Sequence, residues 1–217
     1  MRGQLYSSSK ETMEGELVLK NKLRSAIIQQ LTDSLYSQAN IKKYIFPPKQ
    51  PKCVITDLCI HYRGNLNAPV SFIVASDFNC ERCVAFEATL QRIYDKYKDQ
   101  VKFGFVSFGD FPTLPALACE AAARQDKFWD FHDDIFAHKG LADSTFIFNL
   151  AKTKNLDITQ FRKDLHSSEN YKKLDKTIND LVNRGVFATP TIIVNDRLVY
   201  MTNSYEELSR LLEYELR

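Results

Sequence analysis

The sequence predicts an α/β protein: a four-stranded sheet with helices on both faces, laid down in the order βαβ, helical block, ββα. Three observations predict it. "PVSFIVASDF" and "VKFGFVSF" are apolar runs rich in β-branched and aromatic residues, separated by one helix-length stretch. "TPTIIVNDRLVYM" reads as a hairpin and is followed by an amphipathic segment. Between these halves lies a long block whose apolar residues recur at helical spacing.

Taken in order, residues 1 to about 16 are polar and read as a frayed terminus. From Leu17 to about Tyr44 the spacing predicts a helix, with Leu23, Ile27, Leu31 and Leu35 in register and Ile28 beside them. Spacings of four drift around a helix, so the stripe is only partly that of a coiled coil. Two readings fit it: a helix packed on its own domain, or an oligomerisation helix. "FPPKQPK" holds three prolines, which fix φ and donate no hydrogen bond, so it reads as an extended linker. The first strand follows, then a helix from Cys83 to about Lys98 with Phe86, Leu90, Ile93 and Tyr97 on one face. With the strand "VKFGFVSF" this makes a βαβ unit, and such a crossover implies parallel strands.

After "GDFPTLP", the stretch "ALACEAAARQDKFWDFHDDIFAHKG" reads as one long helix ending at Gly140. "DSTFIFNLAKTKN" and "DITQFRKDL" each start at a capping aspartate, and a further helix runs from about Ser168 to Arg184, stopped by Gly185. The closing hairpin turns at Asn195-Asp196, and Ser204 with Glu207 caps the last helix. The divisions expected are 1–52 for the N-terminal helix and linker, 53–111 for the first half of the sheet domain, 112–184 for a helical insertion, and 185–217 for the second half.

Composition narrows the function. Hydrophobic residues make up 44% and formal net charge is +2, so the chain can build a core and shows no basic stripe for nucleic acid. No run of about 18 apolar residues is present to span a membrane. The first residues, "MRGQLYSSSKETMEGE", have no apolar segment and do not read as a signal peptide.

The chemistry concentrates in "SDFNCERCVAF". Cys80 and Cys83 lie three positions apart where a strand gives way to a helix. A thiolate is the attacking form of cysteine, and a helix N-terminus stabilises it with unpaired N–H groups and a partial positive charge. Cys80 receives that help with Arg82 nearby and Glu81 weakly opposed, so Cys80 attacks and Cys83, one turn into the helix, resolves. Two rival readings are a zinc site and inert packing. Zinc needs four ligands, one C-x-x-C supplies two, and the remaining cysteines and histidines are scattered. "NCERC" is also too polar for simple packing. Of the other cysteines, Cys119 reads as a small buried hydrophobe. Cys53 and Cys59 cannot bond along a straight strand, whose six steps span roughly 20 Å, but a turn between them would permit a disulfide.

Three motifs in order carry a resemblance: "GNLNAPVSFIVASDFNCERC", "KFWDFHDDIF" and "GVFATPTIIVN". From about Gly64 to the C-terminus the chain resembles the DsbA-like branch of the thioredoxin superfamily, which includes ScsC-type proteins with a helical insertion. The resemblance implies a thioredoxin fold, a redox-active Cys80–Cys83 disulfide with no organic cofactor or metal, and Pro190 as the cis-proline facing that pair. It implies that Thr189 pairs with substrate backbone. It also implies cysteine-containing protein substrates, a membrane redox partner, and a periplasmic or equivalent extracytoplasmic location, with oxidase and isomerase both open. Glu-Arg between the cysteines departs from the Pro-Tyr, Gly-Tyr or Pro-His of relatives. Val74 stands where relatives often carry a glutamate that moves the resolving cysteine's proton, and Asp77 is either its replacement or a turn residue. Two further readings are a non-redox peptide-binding holdase on the same scaffold and a kappa-type glutathione transferase. The latter lacks a C-x-x-C pair.

Overall fold

The computed structural model describes residues 2–38, 50–139, 142–199 and 204–217. The chain divides into two units, Met1–Pro48 and Lys49–Arg217. Most of the proline-rich linker lies outside the described residues, as do Gly140 and Met201.

The first unit contains one helix, α1 (Arg2–Gln38). Its apolar side chains from Leu17 to Leu35 are all 54–64% exposed. No helix among the described residues is long and apolar enough to cross a membrane.

The second unit is built on a sheet of strand order β1-β3-β2-β4-β5: β1 (His61–Gly64), β2 (Val70–Ser76), β3 (Val101–Ser107), β4 (Thr191–Val194) and β5 (Arg197–Val199). β2 and β3 are parallel, with Val70 opposite Val101, as the βαβ reading requires. β4 runs antiparallel to β2, and β5 to β4 through the turn at Asn195 and Asp196, both at positive φ. The sheet has five strands rather than the expected four. The extra strand, β1, reads "HYRG" and pairs antiparallel with β3 at an edge. It is short and only half buried, so it carries no apolar alternation to announce it.

Alternation along β2 separates two cores. Val70, Phe72 and Val74 pack with Phe86, Ile93 and Tyr97 of α2 (Glu81–Tyr97) and with Leu208 and Leu212 of α8 (Tyr205–Glu215). Ile73 and Ala75 point the other way, against Ile178 and Leu181 of α7 (Ser168–Asn183). This is the period-two logic of a strand buried on both faces. The insertion adds α3 (Leu114–Ala123), α4 (Phe128–Ala137), α5 (Ser144–Thr153) and α6 (Ile158–Leu165), joined in a third core around Phe131, Ile147 and Phe161. The single long helix expected here is two: the chain breaks at Asp126, which takes φ 58°, and the Lys127 N–H bonds back to Ala122. An αL residue with such a return bond ends a helix even without glycine.

Asp143, Asp157, Ser167 and Ser204 cap α5, α6, α7 and α8 by accepting main-chain N–H bonds. Ser204→Ala removes the acceptor for the Glu207 N–H and is expected to cost about 1 kcal/mol of stability, read as a lowered urea midpoint at unchanged m-value.

Candidate active site

β2 ends at Ser76 and turns through Asp77-Phe78-Asn79 into α2. The Asp77 carboxylate accepts the Asn79 N–H at 3.0 Å, and its carbonyl accepts the Cys80 N–H at 3.2 Å. These bonds make Asp77 the turn residue and set Cys80 as the N-cap of α2, with extended φ and ψ of −86° and 116°. Burial raises the Asp77 carboxyl, the Asn79 bond opposes that, and Asp110 adds to it.

Ala75 of β2 lies opposite Thr191 of β4, so residues 188 and 189 run past the end of β2 at Ser76 and bring Thr189 beside Cys80. The Cys80 Sγ lies 3.9 Å from the Thr189 carbonyl oxygen, and the Thr189-Pro190 peptide bond is cis. Phe187, on the same loop, is 78% exposed.

The two thiols differ. Partial burial raises Cys80, but interactions with Thr189, the Cys83 thiol and the main-chain N–H groups of Cys83 and Arg82 outweigh it, and the net shift is down. Arg82 acts on Cys80 through its main chain, and the side chains of Glu81 and Arg82 are exposed. Cys83 is 1% exposed, packed with Phe78 and Phe105. Burial pushes its thiol up to about 11, against smaller opposing bonds from Asp77 and Ser76. The site therefore holds one thiolate-prone sulfur at a helix N-terminus and one buried sulfur that stays protonated. Along α2 from this turn runs a groove of about 820 Å³, with Phe78, Val84, Ala88 and Phe136 on its apolar walls.

Glu87, one turn beyond Cys83, is a residue the sequence reading passes over. Burial pushes its carboxyl up to about 7, with Arg63 lowering it and Asp133 raising it. It shares a small cavity with Val74, Phe105 and His132. The carboxyl that position 74 lacks is thus supplied to the same cavity from α2. Its one sequence signal is an acidic residue four positions after Cys83 on the helix face that buries Phe86 and Leu90.

Cys53 and Cys59 are both free thiols, so the disulfide weighed for them is not formed. The turn it would need is present, with the Leu58 N–H bonded to the Ile55 carbonyl at 2.9 Å, but the side chains diverge. Cys53 enters the core beside Val186 and Leu198, whereas Cys59 meets Glu120. Cys119 is fully buried, and burial holds its thiol well above the usual range.

Two groups among the described residues bring three donors of metal-binding type within 4.8 Å: Cys59, His61 and Glu120, and Glu87, His132 and Asp133. Each already contains a protein cation. The Lys173 Nζ lies 3.6 Å from Glu120, and the Arg63 Nη1 lies 3.1 Å from both Asp133 oxygens. Neither fits a bound metal ion without displacing that partner.

A family model described as Thioredoxin matches residues 58–214. The chain belongs to the thioredoxin family. This thioredoxin-family protein is a DsbA-like thiol:disulfide oxidoreductase. It is 31% identical over 169 residues to a probable disulfide bond formation protein D of Bacillus anthracis, covering 71% of this chain and 77% of that one. The crystal structure of oxidised BdbD from Bacillus subtilis superposes with a TM-score of 0.65 at 26% identity, covering 77% of this chain and 97% of that one. The thiol-disulfide exchange protein alpha-DsbA2 of Wolbachia pipientis shares the fold, with a TM-score of 0.60 at 21% identity over 88% of this chain and 97% of that one.

Proposed function

We propose that this protein donates disulfides to cysteine pairs of other proteins through Cys80 and Cys83, in an extracytoplasmic compartment, and is reoxidised by a membrane redox partner. The observation that carries the reading is the contrast between the two thiols. Stabilising one thiolate of a dithiol stabilises the reduced form, which makes the disulfide form an oxidant. A substrate thiolate attacks the Cys80 sulfur of the Cys80–Cys83 disulfide. Cys83 leaves and takes a proton, since its thiol holds one up to about pH 11. The substrate's second thiolate then attacks the substrate sulfur of the mixed disulfide, and Cys80 departs as the better leaving group because its pKa is the lower. The substrate is oxidised by two electrons and the Cys80–Cys83 pair is reduced by two. The redox group is the cysteine pair itself, so the reaction requires no separate cofactor.

Thr189 and Pro190 form the rim on which substrate backbone docks, with exposed Phe187 as an apolar contact. The name disulfide bond formation protein, carried by the Bacillus relatives, supports the donor direction. Titrating the Cys80–Cys83 pair against glutathione buffers tests this: a potential of about −120 to −180 mV is expected, and one near −270 mV would make the protein a reductant instead.

The exposed apolar side chains of α1 support a homo-oligomer, because burying them against a second copy removes that apolar surface from water. Light scattering of the full chain is expected to give a dimer or trimer mass, and a monomer would refute it. An oligomer that sets several active sites together would also suit isomerisation.

A further inference from the structure

A second partly exposed cysteine lies outside the Cys80–Cys83 pair, in a cluster drawn from β1, α3, α7 and the residues just before β1. Cys59 stands just before β1, His61 is the first residue of β1, Glu120 comes from α3 and Lys173 from α7. The His61 Nε2–H donates to Glu120 Oε1 at 2.7 Å, and the Lys173 Nζ stands 3.6 Å from Glu120 Oε2. The Cys59 Sγ lies 3.9 Å from that same oxygen. His61 is fixed from behind by stacking on Phe128 at 3.6 Å.

The charges in this cluster balance when the sulfur is anionic. Glu120 is buried and contributes one negative charge, while the protonated imidazole and the ammonium contribute two positive charges. Burial alone would lower His61, but Cys59 and Glu120 hold it up to about 9, so the imidazole is charged at neutral pH. That imidazolium and a Cys59 thiolate support each other as an ion pair, with Glu120 and Lys173 beside them. The Cys59 thiol is shifted down, first by His61 and further by Lys173, against burial and Glu120. Cys59 is partly open to solvent, unlike Cys53 and Cys119. Lys173 also lines a shallow groove of about 490 Å³ with Lys172, Lys176, Ser168 and Glu169. Lys176 is paired to Asp180, while Lys173 stands at the cluster beside Glu120.

We propose that Cys59 is a modification site: a second nucleophilic sulfur that forms a reversible mixed disulfide with a small anionic disulfide, whose carboxylate is met by Lys173. The Cys59 thiolate attacks one sulfur of the small disulfide, the old S–S bond breaks, a new one forms to Sγ, and the other half leaves as a thiolate. Cys59 is oxidised by the half of the reagent that departs reduced, and no proton has to be removed first. The mixed disulfide takes away the negative charge that balances His61 and Lys173, and the ligand's own carboxylates replace it.

The test uses the full chain carrying C80S and C83S, so its outcome is independent of the redox reading of that pair. Glutathione disulfide is the anionic probe and cystamine the cationic one, with adducts located by peptide mass mapping. One glutathionyl adduct per chain is expected, on Cys59, forming at pH 7 roughly tenfold faster than on free cysteine, with a rate midpoint below that of an ordinary thiol. His61→Gln is expected to slow it roughly tenfold, and Lys173→Gln to erase the preference for the anionic probe. The pH profile is read on the chain with His61 intact, so it stands even where His61→Gln fails to fold. Absence of an adduct on Cys59, or a rate that rises only near pH 8.5 as for an ordinary thiol, would overturn the proposal. Equal rates with cystamine would overturn the anionic class of partner.

Discussion

Cys80→Ser is expected to abolish disulfide exchange, lowering the rate of oxidation of a reduced test protein by roughly three orders of magnitude or more. Cys83→Ser is expected to lose turnover as well but, given a substrate that carries a disulfide, to accumulate a mixed disulfide: the Cys80 thiolate breaks the substrate S–S bond, joins one sulfur and releases the other as a thiolate. The asymmetry follows from the two environments. Cys80 sits at the N-cap of α2 beside the Thr189 carbonyl and is the sulfur a partner can reach. Cys83 is buried and protonated, and its task is to close on Cys80 from inside. Without Cys83 nothing within the chain releases the captured substrate. Non-reducing gels after an acid quench read this directly: a trapped adduct with the Cys83 variant and none with the Cys80 variant is the expected pattern. The reverse pattern would exchange the roles of the two residues, and equal trapping by both would remove the distinction between them.

The second large effect is on stability. Glu87 holds its proton up to about pH 7 in the folded chain, against an ordinary value of 4.5. The folded state therefore binds more protons than the unfolded state between these two values. Stability falls as pH rises through that window, and the penalty is complete above it. Its full size is about 3 kcal/mol, from roughly 1.4 kcal/mol for each pH unit of difference. Glu87→Gln keeps the shape and removes the charge. The variant is expected to be more stable than the parent by about 2–3 kcal/mol at pH 8 and to match it near pH 4. Urea midpoints at pH 4, 6 and 8 decide it. A difference that does not change with pH would mean that the burial of Glu87 has no electrostatic cost.

Local chemistry is what the chain displays openly. Cys80 and Cys83 are three positions apart at a strand-to-helix junction, so the helix N-terminus that separates their acidities is encoded within the same dozen residues. The two long strands are legible because both their faces are buried, which makes them continuous apolar runs. The capping residues of α5, α6 and α8 are legible because a cap acts over three positions. β1 is not legible, because "HYRG" is polar, short and held by β3 at an edge. Nor is the break between α3 and α4, where an aspartate rather than a glycine takes the left-handed conformation at Asp126. The disulfide weighed for Cys53 and Cys59 turns on the direction of two side chains, and spacing carries no information about that.

The sequence by itself determined the α/β class with helices on both faces of a sheet, the position of the Cys80–Cys83 pair and the order of the motifs around it, since periodicity and helix ends are short-range properties. Only the tertiary structure decided which groups meet across the fold. Thr189 reaches Cys80 because β4 pairs with β2 at Ala75 and Thr191. Glu87 is acidic in sequence but largely neutral below pH 7 because α2, β3 and α4 enclose it. Cys59, His61, Glu120 and Lys173 act as one cluster although 114 positions separate the first from the last. Burial and electrostatic coupling depend on distance in space, and that distance is set when the sheet and the inserted helices close on each other.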